Sequence, residues 1–175
     1  MWTPTTDDSL WLNWSRAART PSLGELNANV VLGAQPQPLA PGGVVVLRSL
    51  PAPNLRPRAE RVDALELGYR RTLSSGSLEA VLFHHNYRRL GATTMGQLDM
   101  SSPPFVQPLY RSYFANACTT GLELAADINL TATLRLQGSY TVLDTQSRRY
   151  LDSAADAAGL AVEGAAPKHW ASLHA

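Results

Sequence analysis

The sequence predicts an all-β chain that forms a partial transmembrane antiparallel β-barrel of about six strands, with short periplasmic turns and long extracellular loops. Three observations predict this fold. Apolar and polar residues alternate with a period of two in six segments, as expected for strands whose side chains point alternately to opposite faces. The segments run about ten residues or more. This length is expected of tilted strands that cross the hydrocarbon core of a membrane, whereas strands of soluble proteins are usually shorter. The connections between them alternate between long and short.

The strands follow from the alternation in chain order. In the first, Leu12 and its apolar neighbours oppose Asn13, and in the second Leu67 opposes Glu66. In the third, the pattern predicts that Val81, Phe83 and Tyr87 face the apolar side, and that His84 and Asn86 face the polar side. The six predicted strands begin near these residues: Ser9, Val62, Leu78, Tyr113, Leu134 and Lys168.

The fourth and fifth strands form a hairpin within Gly121 to Asp144, around the short turn DINLT. One face carries leucines, with Tyr140 and Val142, and the other carries charged and polar residues. Two environments suit such a hairpin: a soluble sandwich with the leucines in a core, or a membrane barrel with the leucines in lipid. The hairpin alone does not choose between them.

The connections favour the barrel. A long connection from Thr20 to Arg61, rich in Pro and Gly, separates the first two strands, and only SSGS separates the second from the third. Long connections, Gly91 to Ser112 and Asp144 to Pro167, also flank the hairpin. Outer-membrane barrels have short turns on one side of the membrane and long loops on the other, and soluble sandwiches lack this regularity.

Composition excludes several classes of function. Lys+Arg 15 against Asp+Glu 14 leaves no basic patch for nucleic acid. Mean hydropathy is −0.14, and no run approaches the ~18 apolar residues of a membrane helix. The single Cys118 forms no internal disulfide. The N-terminus has no signal-peptide pattern, which indicates either a cytoplasmic protein or an incomplete chain.

The polar faces supply the candidate site residues, and no catalytic, cofactor-binding or metal-binding residue is predicted. His84 and His85 are adjacent on a strand and point to opposite faces, so they do not share a metal ion. Arg19 and Asn86 are predicted near the extracellular mouth of the barrel. The residues predicted to face the lumen are Asn13, Glu66, Arg70, His84, Asn86, Glu123, Arg135, Gln137 and Thr141. Gly68 and Gly121 are expected on the same face, where small side chains let the barrel contents approach.

Two segments carry a resemblance to a known family. Leu10 to Leu26 contains Ser-Arg-Ala, one residue, then Arg-Thr-Pro-Ser with Glu25 nearby. Pro53 to Leu73 contains Asn-Leu-Arg-Pro followed by Glu-Leu-Gly-Tyr-Arg from Glu66. Both resemble barrel segments of TonB-dependent outer-membrane receptors.

The resemblance implies a barrel of about 22 strands, filled by a plug domain, in the outer membrane of a Gram-negative bacterium. Such receptors take up a ferric siderophore, haem or cobalamin-like ligand with energy from the TonB system. Residues 1–175 are expected to be part of that barrel domain, incomplete at both ends and without the plug, and inactive alone. Two alternatives remain: a smaller porin-type barrel, and a soluble β-sandwich that binds carbohydrate on Trp11, Trp14 and Trp170.

Overall fold

A computed structural model describes residues 1–36, 43–51, 58–148 and 167–175. In these ranges the chain forms eight strands and one short helix. The elements are β1 (Asp8–Arg19), α1 (Leu23–Asn27), β2 (Val30–Pro36), β3 (Val44–Leu50), β4 (Glu60–Leu73), β5 (Gly76–Met95), β6 (Phe105–Asn129), β7 (Arg135–Arg148) and β8 (His169–His174). The six predicted strands correspond to β1 and β4 to β8. No helix in the described ranges is long and apolar enough to cross a membrane.

All eight strands belong to one sheet. Antiparallel neighbours follow the order β1, β4, β5, β6, and β7 and β8 continue from the C-terminal half of β6. Within the described ranges β1 and β8 each pair with one other strand, so the sheet is open. The end of the sheet that carries the short β4–β5 and β6–β7 turns is called the turn end, and the opposite end is called the loop end.

The β4–β5 turn fixes the register of the sheet. Leu73 pairs with Gly76, so two serines form the turn, and pairing then continues without interruption to Arg61 and Arg88. Gly76 has φ +157, and a Cβ atom there would lie 1.9 Å from the backbone oxygen of Asp127 on β6. A glycine is therefore required where this turn packs against the next strand.

The register separates an apolar face from a polar face. Directly opposed residues share a face, and Leu12, Leu67, Leu82, Leu122 and Val142 form one continuous row across five strands. This apolar face is exposed: the accessible fraction is 68% for Leu12, 48% for Leu67 and 52% for Leu82. In the described ranges no second sheet covers it. A soluble sandwich would bury these leucines, so the exposed row argues against that alternative.

The apolar band crosses the strands obliquely. On β1 the band ends at Arg16 and at Asp8, because the side chains of these two residues form polar contacts on the apolar face. Leu12 lies midway between them. On β6 the band begins at Leu122, in the row that contains Leu12, and runs toward the turn end as far as Ile128. A band of constant height shifts along successive strands in this way when the strands are tilted, as they are in barrels.

The connection between β1 and β4 is more ordered than a loop. It contains α1 and the antiparallel pair β2–β3, and β3 lies parallel to the first residues of β6, with Val45 opposite Phe105 and Leu50 opposite Tyr110. The sequence predicted a long connection here, and it did not predict β2 or β3 within that connection. Residues 37–42 and 52–57, which include Asn54 and Pro57 of the resembling segment, lie outside the described ranges, as does most of the connection from Asp144 to Pro167.

The small core lies toward the loop end, where β5 and β6 extend beyond their neighbours. Phe105 is 5% exposed and Tyr113 is 7% exposed, and three alanines of β5 and β6 are also buried there. A bulge in β5 accompanies this extension, with Arg89 at φ 59 and its backbone N–H bonded to the Asn116 side chain. The sheet therefore packs most tightly near the end that carries the long connections.

Candidate functional site

Four charged side chains meet on the polar face at the loop end. Arg19 of β1 donates from Nη2 to both carboxylate oxygens of Glu25 at 2.9 Å, and its Nη1 lies 3.1 Å from Glu60 Oε2. Arg111 of β6 donates to Glu25 Oε1 at 3.1 Å. Glu60 of β4 also accepts from the backbone N–H of Gly91 on β5 at 2.7 Å. These four residues, Arg19, Glu25, Glu60 and Arg111, are called the mouth cluster, and they connect β1, β4, β5, β6 and α1.

Local sequence places Glu25 in this cluster. Ser22 caps α1: its hydroxyl accepts from the Glu25 backbone N–H at 3.2 Å, and the Ser22 backbone N–H donates to Glu25 Oε2 at 2.9 Å. This reciprocal pair is a capping box, in which the third helical residue turns back to the cap. The Ser22 backbone hydrogen bond and the Arg19 side chain lower the pKa of Glu25 from 4.5 to about 2. Glu25 is therefore a carboxylate at neutral pH.

Ion pairs also line the polar face toward the turn end. Arg70 Nε lies 3.1 Å from Glu79 Oε2, across the β4–β5 pair. Arg135 forms a two-pronged contact with Asp127, which also accepts from the Gln137 side-chain amide at 3.1 Å. The polar face is thus charged along its length and carries paired acids and bases.

Comparisons with known proteins identify the family. The family model described as TonB dependent receptor-like, beta-barrel matches residues 1–174. The chain belongs to this TonB-dependent receptor barrel family. The crystal structure of the siderophore receptor PirA from Pseudomonas aeruginosa has the same fold, with a TM-score of 0.60 at 19% identity over 84% of this chain. The chain spans 27% of that receptor chain. A search of curated protein sequences found no significant match.

Membership of the TonB-dependent receptor family confirms the predicted fold, a partial transmembrane β-barrel whose sheet is open in the described ranges. Proteins of this family are outer-membrane transporters of Gram-negative bacteria and not enzymes. The alternatives of a porin-type barrel and a carbohydrate-binding sandwich do not agree with the match over residues 1–174.

The structure brings most of the predicted site residues of this TonB-dependent receptor barrel to one face. Asn13 opposes Glu66 on β1 and β4, and Glu123 opposes Thr141 on β6 and β7. Arg19 lies on this face as well, within the mouth cluster. Seven of the nine residues predicted to face the lumen share the polar face: Asn13, Glu66, Arg70, Glu123, Arg135, Gln137 and Thr141.

His84 and Asn86 lie on the opposite face from the other seven. His84 opposes Leu65 on β4 and Thr120 on β6, and its Nδ1 lies 2.7 Å from the Thr120 hydroxyl. Asn86 opposes Cys118 and lies on the same face as His84, the apolar face. The predicted orientation of β5 is therefore wrong. Val81, Phe83 and Tyr87, expected on the apolar face, lie on the polar face with Glu66 and Glu123.

The alternation of β5 is ambiguous because both of its faces carry large apolar residues, with Leu82 on one face and Phe83 on the other. Another signal in the sequence resolves the ambiguity. A two-residue turn at Ser74 and Ser75 places Phe83, and not His84, opposite Glu66. The length of the turn therefore determines which face each β5 residue occupies.

Three polar groups of the polar face were not predicted and stand out by their burial. His85 Nε2, Arg111 Nε and the Tyr113 hydroxyl are buried, and none has a hydrogen-bond partner among the described residues. Glu66 Oε1 lies 3.6 Å from His85 Nε2, beyond hydrogen-bond distance. The sequence did not single out His85 as a site residue, because the alternation of β5 placed it on the apolar face and not on the polar face where it lies.

In the part of the chain that the structure describes, no group of side chains is arranged to bind a metal ion. No group of three or more His, Cys, Asp or Glu residues lies close enough there to hold an ion. His84 and His85 point to different faces, as the register shows. Among the acids near the connection after β7, Asp144 lies on β7, and Asp152 and Asp156 lie outside the described ranges.

Proposed function

We propose that this chain is a section of the barrel wall of an outer-membrane receptor that takes up a scarce ligand, such as a ferric siderophore, with energy from the TonB system. The observation that carries the proposal is the contrast between the faces. The apolar face is exposed on β1 and on β4 to β8, and the polar face carries ion pairs from the turn end to the mouth cluster. Lipid suits the first face and a filled, wet lumen suits the second.

The proposed orientation puts the loop end outside the cell. Outer-membrane barrels have short turns in the periplasm and long loops outside. The β4–β5 and β6–β7 turns are short, whereas the β1–β4 connection contains α1 and two further strands. In this orientation the mouth cluster lies at the extracellular entrance, and the lumen-facing residues are the seven that share the polar face.

The proposed partner of the polar face is a plug domain carried elsewhere in the intact receptor, with residues 1–175 forming part of the barrel domain. A buried polar atom without a hydrogen bond costs about 1–3 kcal/mol. His85 Nε2 and the Tyr113 hydroxyl are two such atoms within the described residues. A plug or a ligand that supplied their partners would remove that cost.

A ferric siderophore is the proposed ligand because the similar structure PirA is a siderophore receptor. Haem and cobalamin-like ligands are the alternatives within the same proposal. The described residues of this chain contribute one stretch of the wall, and they do not distinguish these ligands.

Deletion in the source bacterium tests the proposal. The DNA that encodes β4 to β7 is removed in frame, and uptake of radioactive iron is measured with a panel of ferric siderophores and with haem, and uptake of labelled cobalamin in parallel. The expected result is the loss of uptake of one ligand and recovery when the segment is restored. Unchanged uptake of every ligand, or recovery of the native protein in a detergent-free soluble fraction, would contradict the proposal.

A further inference from the structure

Two guanidinium groups from different strands converge on one carboxylate that does not belong to the barrel wall. Arg19 binds both oxygens of Glu25, and Arg111 binds Oε1. Arg19 and Arg111 lie on β1 and β6, separated in the sheet by β4 and β5, whereas Glu25 belongs to α1 in the connecting segment. Paired arginines that converge on a carboxylate are a common way to bind an anion.

The geometry points to a binding site for small carboxylate-bearing anions, formed by Arg19 and Arg111 and occupied by Glu25 as an internal ligand until an external anion displaces it. The inference rests on the proposed function for which end of the sheet faces the medium. It goes beyond that function because it names a site, a ligand chemistry and a contact that masks the site.

Access to the site is open to solutes. The side chains of Arg19 and Arg111 are 55% and 35% exposed, and that of Glu25 is 20% exposed. An external carboxylate therefore approaches the guanidinium groups from the loop end without unpacking the core. Only the Glu25 carboxylate has to leave.

The helix that carries Glu25 is weakly attached. It has five residues, none of them is buried, and Leu23 is 79% exposed. Its bond to the N-cap residue, from the Leu26 N–H to the Ser22 carbonyl, is 3.2 Å long. Lifting α1 therefore exposes little apolar surface, and the ion pairs of Glu25 are the main contact that is lost.

The charges that remain after Glu25 leaves favour an anion. Arg19 and Arg111 contribute two positive charges and Glu60 one negative charge, so the open site has a net charge of +1. Glu60 stays in place because it also accepts from the Gly91 backbone N–H. At neutral pH Glu25 competes as a carboxylate, because its pKa lies near 2.

Citrate is the probe for the first test, with the full chain refolded in detergent micelles. Isothermal titration calorimetry at constant ionic strength compares the wild type, Glu25→Gln and the control Glu79→Gln. The control frees Arg70, a single guanidinium on the same face. Glu25→Gln is expected to bind citrate at least about tenfold more tightly than the wild type. Adding Arg111→Gln to it is expected to remove the gain, and the control is expected to match the wild type.

Hydrogen exchange on the wild type provides a second test that needs no variant. Citrate is expected to speed exchange of the Ser22 and Leu26 amides relative to chloride at equal ionic strength, because displacement of Glu25 frees α1. Equal exchange in both salts, or equal citrate affinity for wild type and Glu25→Gln, would overturn the inference. Neither test involves uptake, so failure of the transport proposal would leave these results unchanged.

Discussion

The indole ring of Trp11 lies directly over Gly68 on the neighbouring strand. A Cβ atom at Gly68 would be 2.0 Å from two carbons of the ring. Phe83 and Gly121 repeat the arrangement on β5 and β6, with the ring carbon Cζ 2.4 Å from a Cβ built at the glycine. The space above both glycines is therefore filled by an aromatic ring of the wall, and not by the barrel contents expected from the sequence.

Replacement of Gly68 by alanine is expected to destabilise the sheet by about 1–3 kcal/mol, because the indole must leave its position. Urea unfolding of the refolded chain, followed by tryptophan fluorescence, measures the effect. Gly33→Ala is the matched control, since nothing lies within 4 Å of a Cβ there. The double variant Trp11→Ala with Gly68→Ala is expected to lose no more stability than Trp11→Ala alone. Equal effects of Gly68→Ala and Gly33→Ala would contradict the packing described.

Adjacent residues of β6 test the assignment of the faces. Leu124 lies on the apolar face and Glu123 on the polar face. Leu124→Arg is expected to cost about 2–4 kcal/mol in a bilayer, since it places a charge in hydrocarbon. Glu123→Arg is expected to cost much less. The free energy of unfolding in lipid vesicles measures both costs. A larger cost for Glu123→Arg than for Leu124→Arg would show that the two faces are assigned in reverse.

Phe105 is expected to hold the β2–β3 pair against β6. Its side chain is 5% exposed and it opposes Val45 of β3. Phe105→Ala removes a buried ring, a change that commonly costs about 3–5 kcal/mol. Hydrogen exchange should accelerate at Val44–Leu50 and stay unchanged at β7, which pairs with a different part of β6. Uniform acceleration across the sheet would show that the ring stabilises the whole sheet and not β3 in particular.

The attachment of α1 is expected to depend on pH through Glu25. Its folded-state pKa of about 2 lies below the ordinary value of 4.5, so the contact stabilises α1 fully above pH 4.5 and is lost as pH falls toward 2. The protection factor of the Leu26 amide, which corrects for the pH dependence of intrinsic exchange, should fall in the wild type as the pH is lowered across this window. In Glu25→Gln the fall that arises from this group should be absent. Loosening of α1 above pH 5 in the wild type alone would contradict the assignment.

The chain by itself is expected neither to conduct ions nor to transport a ligand. Its described sheet has open edges at β1 and β8, and unpaired backbone groups are costly in lipid. Planar-bilayer recordings of the purified chain measure conductance, and liposome loading measures transport. Stable single-channel steps or ligand accumulation would refute the expectation. Refolded PirA, a receptor with a matching fold, is a suitable comparison.

The strands were predictable where one face is clearly more apolar than the other. β4 and β6 set leucines against charged residues, and a slip of one residue would place Glu66 or Glu123 in lipid. β5 offers Leu82 on one face and Phe83 on the other, so its pattern carries little preference. The turn length, read together with the pattern, would have resolved it.

The mouth cluster could not be predicted from the sequence because it depends on contacts between residues that are far apart in the chain. Arg111 and Glu25 are 86 positions apart, and they meet only because β6 extends past its neighbours toward α1. The β2–β3 pair was hidden by the surrounding Pro and Gly residues. Val44–Leu50 reads VVVLRSL, four apolar residues followed by Arg48 and Ser49, so it lacks polar alternation and is uninformative until its parallel partner on β6 is known.

The connection between β1 and β4 has a mechanical consequence. The connection leaves the end of β1, and its Glu25 accepts a hydrogen bond from Arg111 of β6. Its strand β3 then pairs with β6 along the edge that faces away from β5. It therefore ties together strands that are three places apart in the wall. Such a tie resists the separation of these strands at the loop end, whereas the turn end carries the short β4–β5 and β6–β7 turns, each of which joins two neighbouring strands.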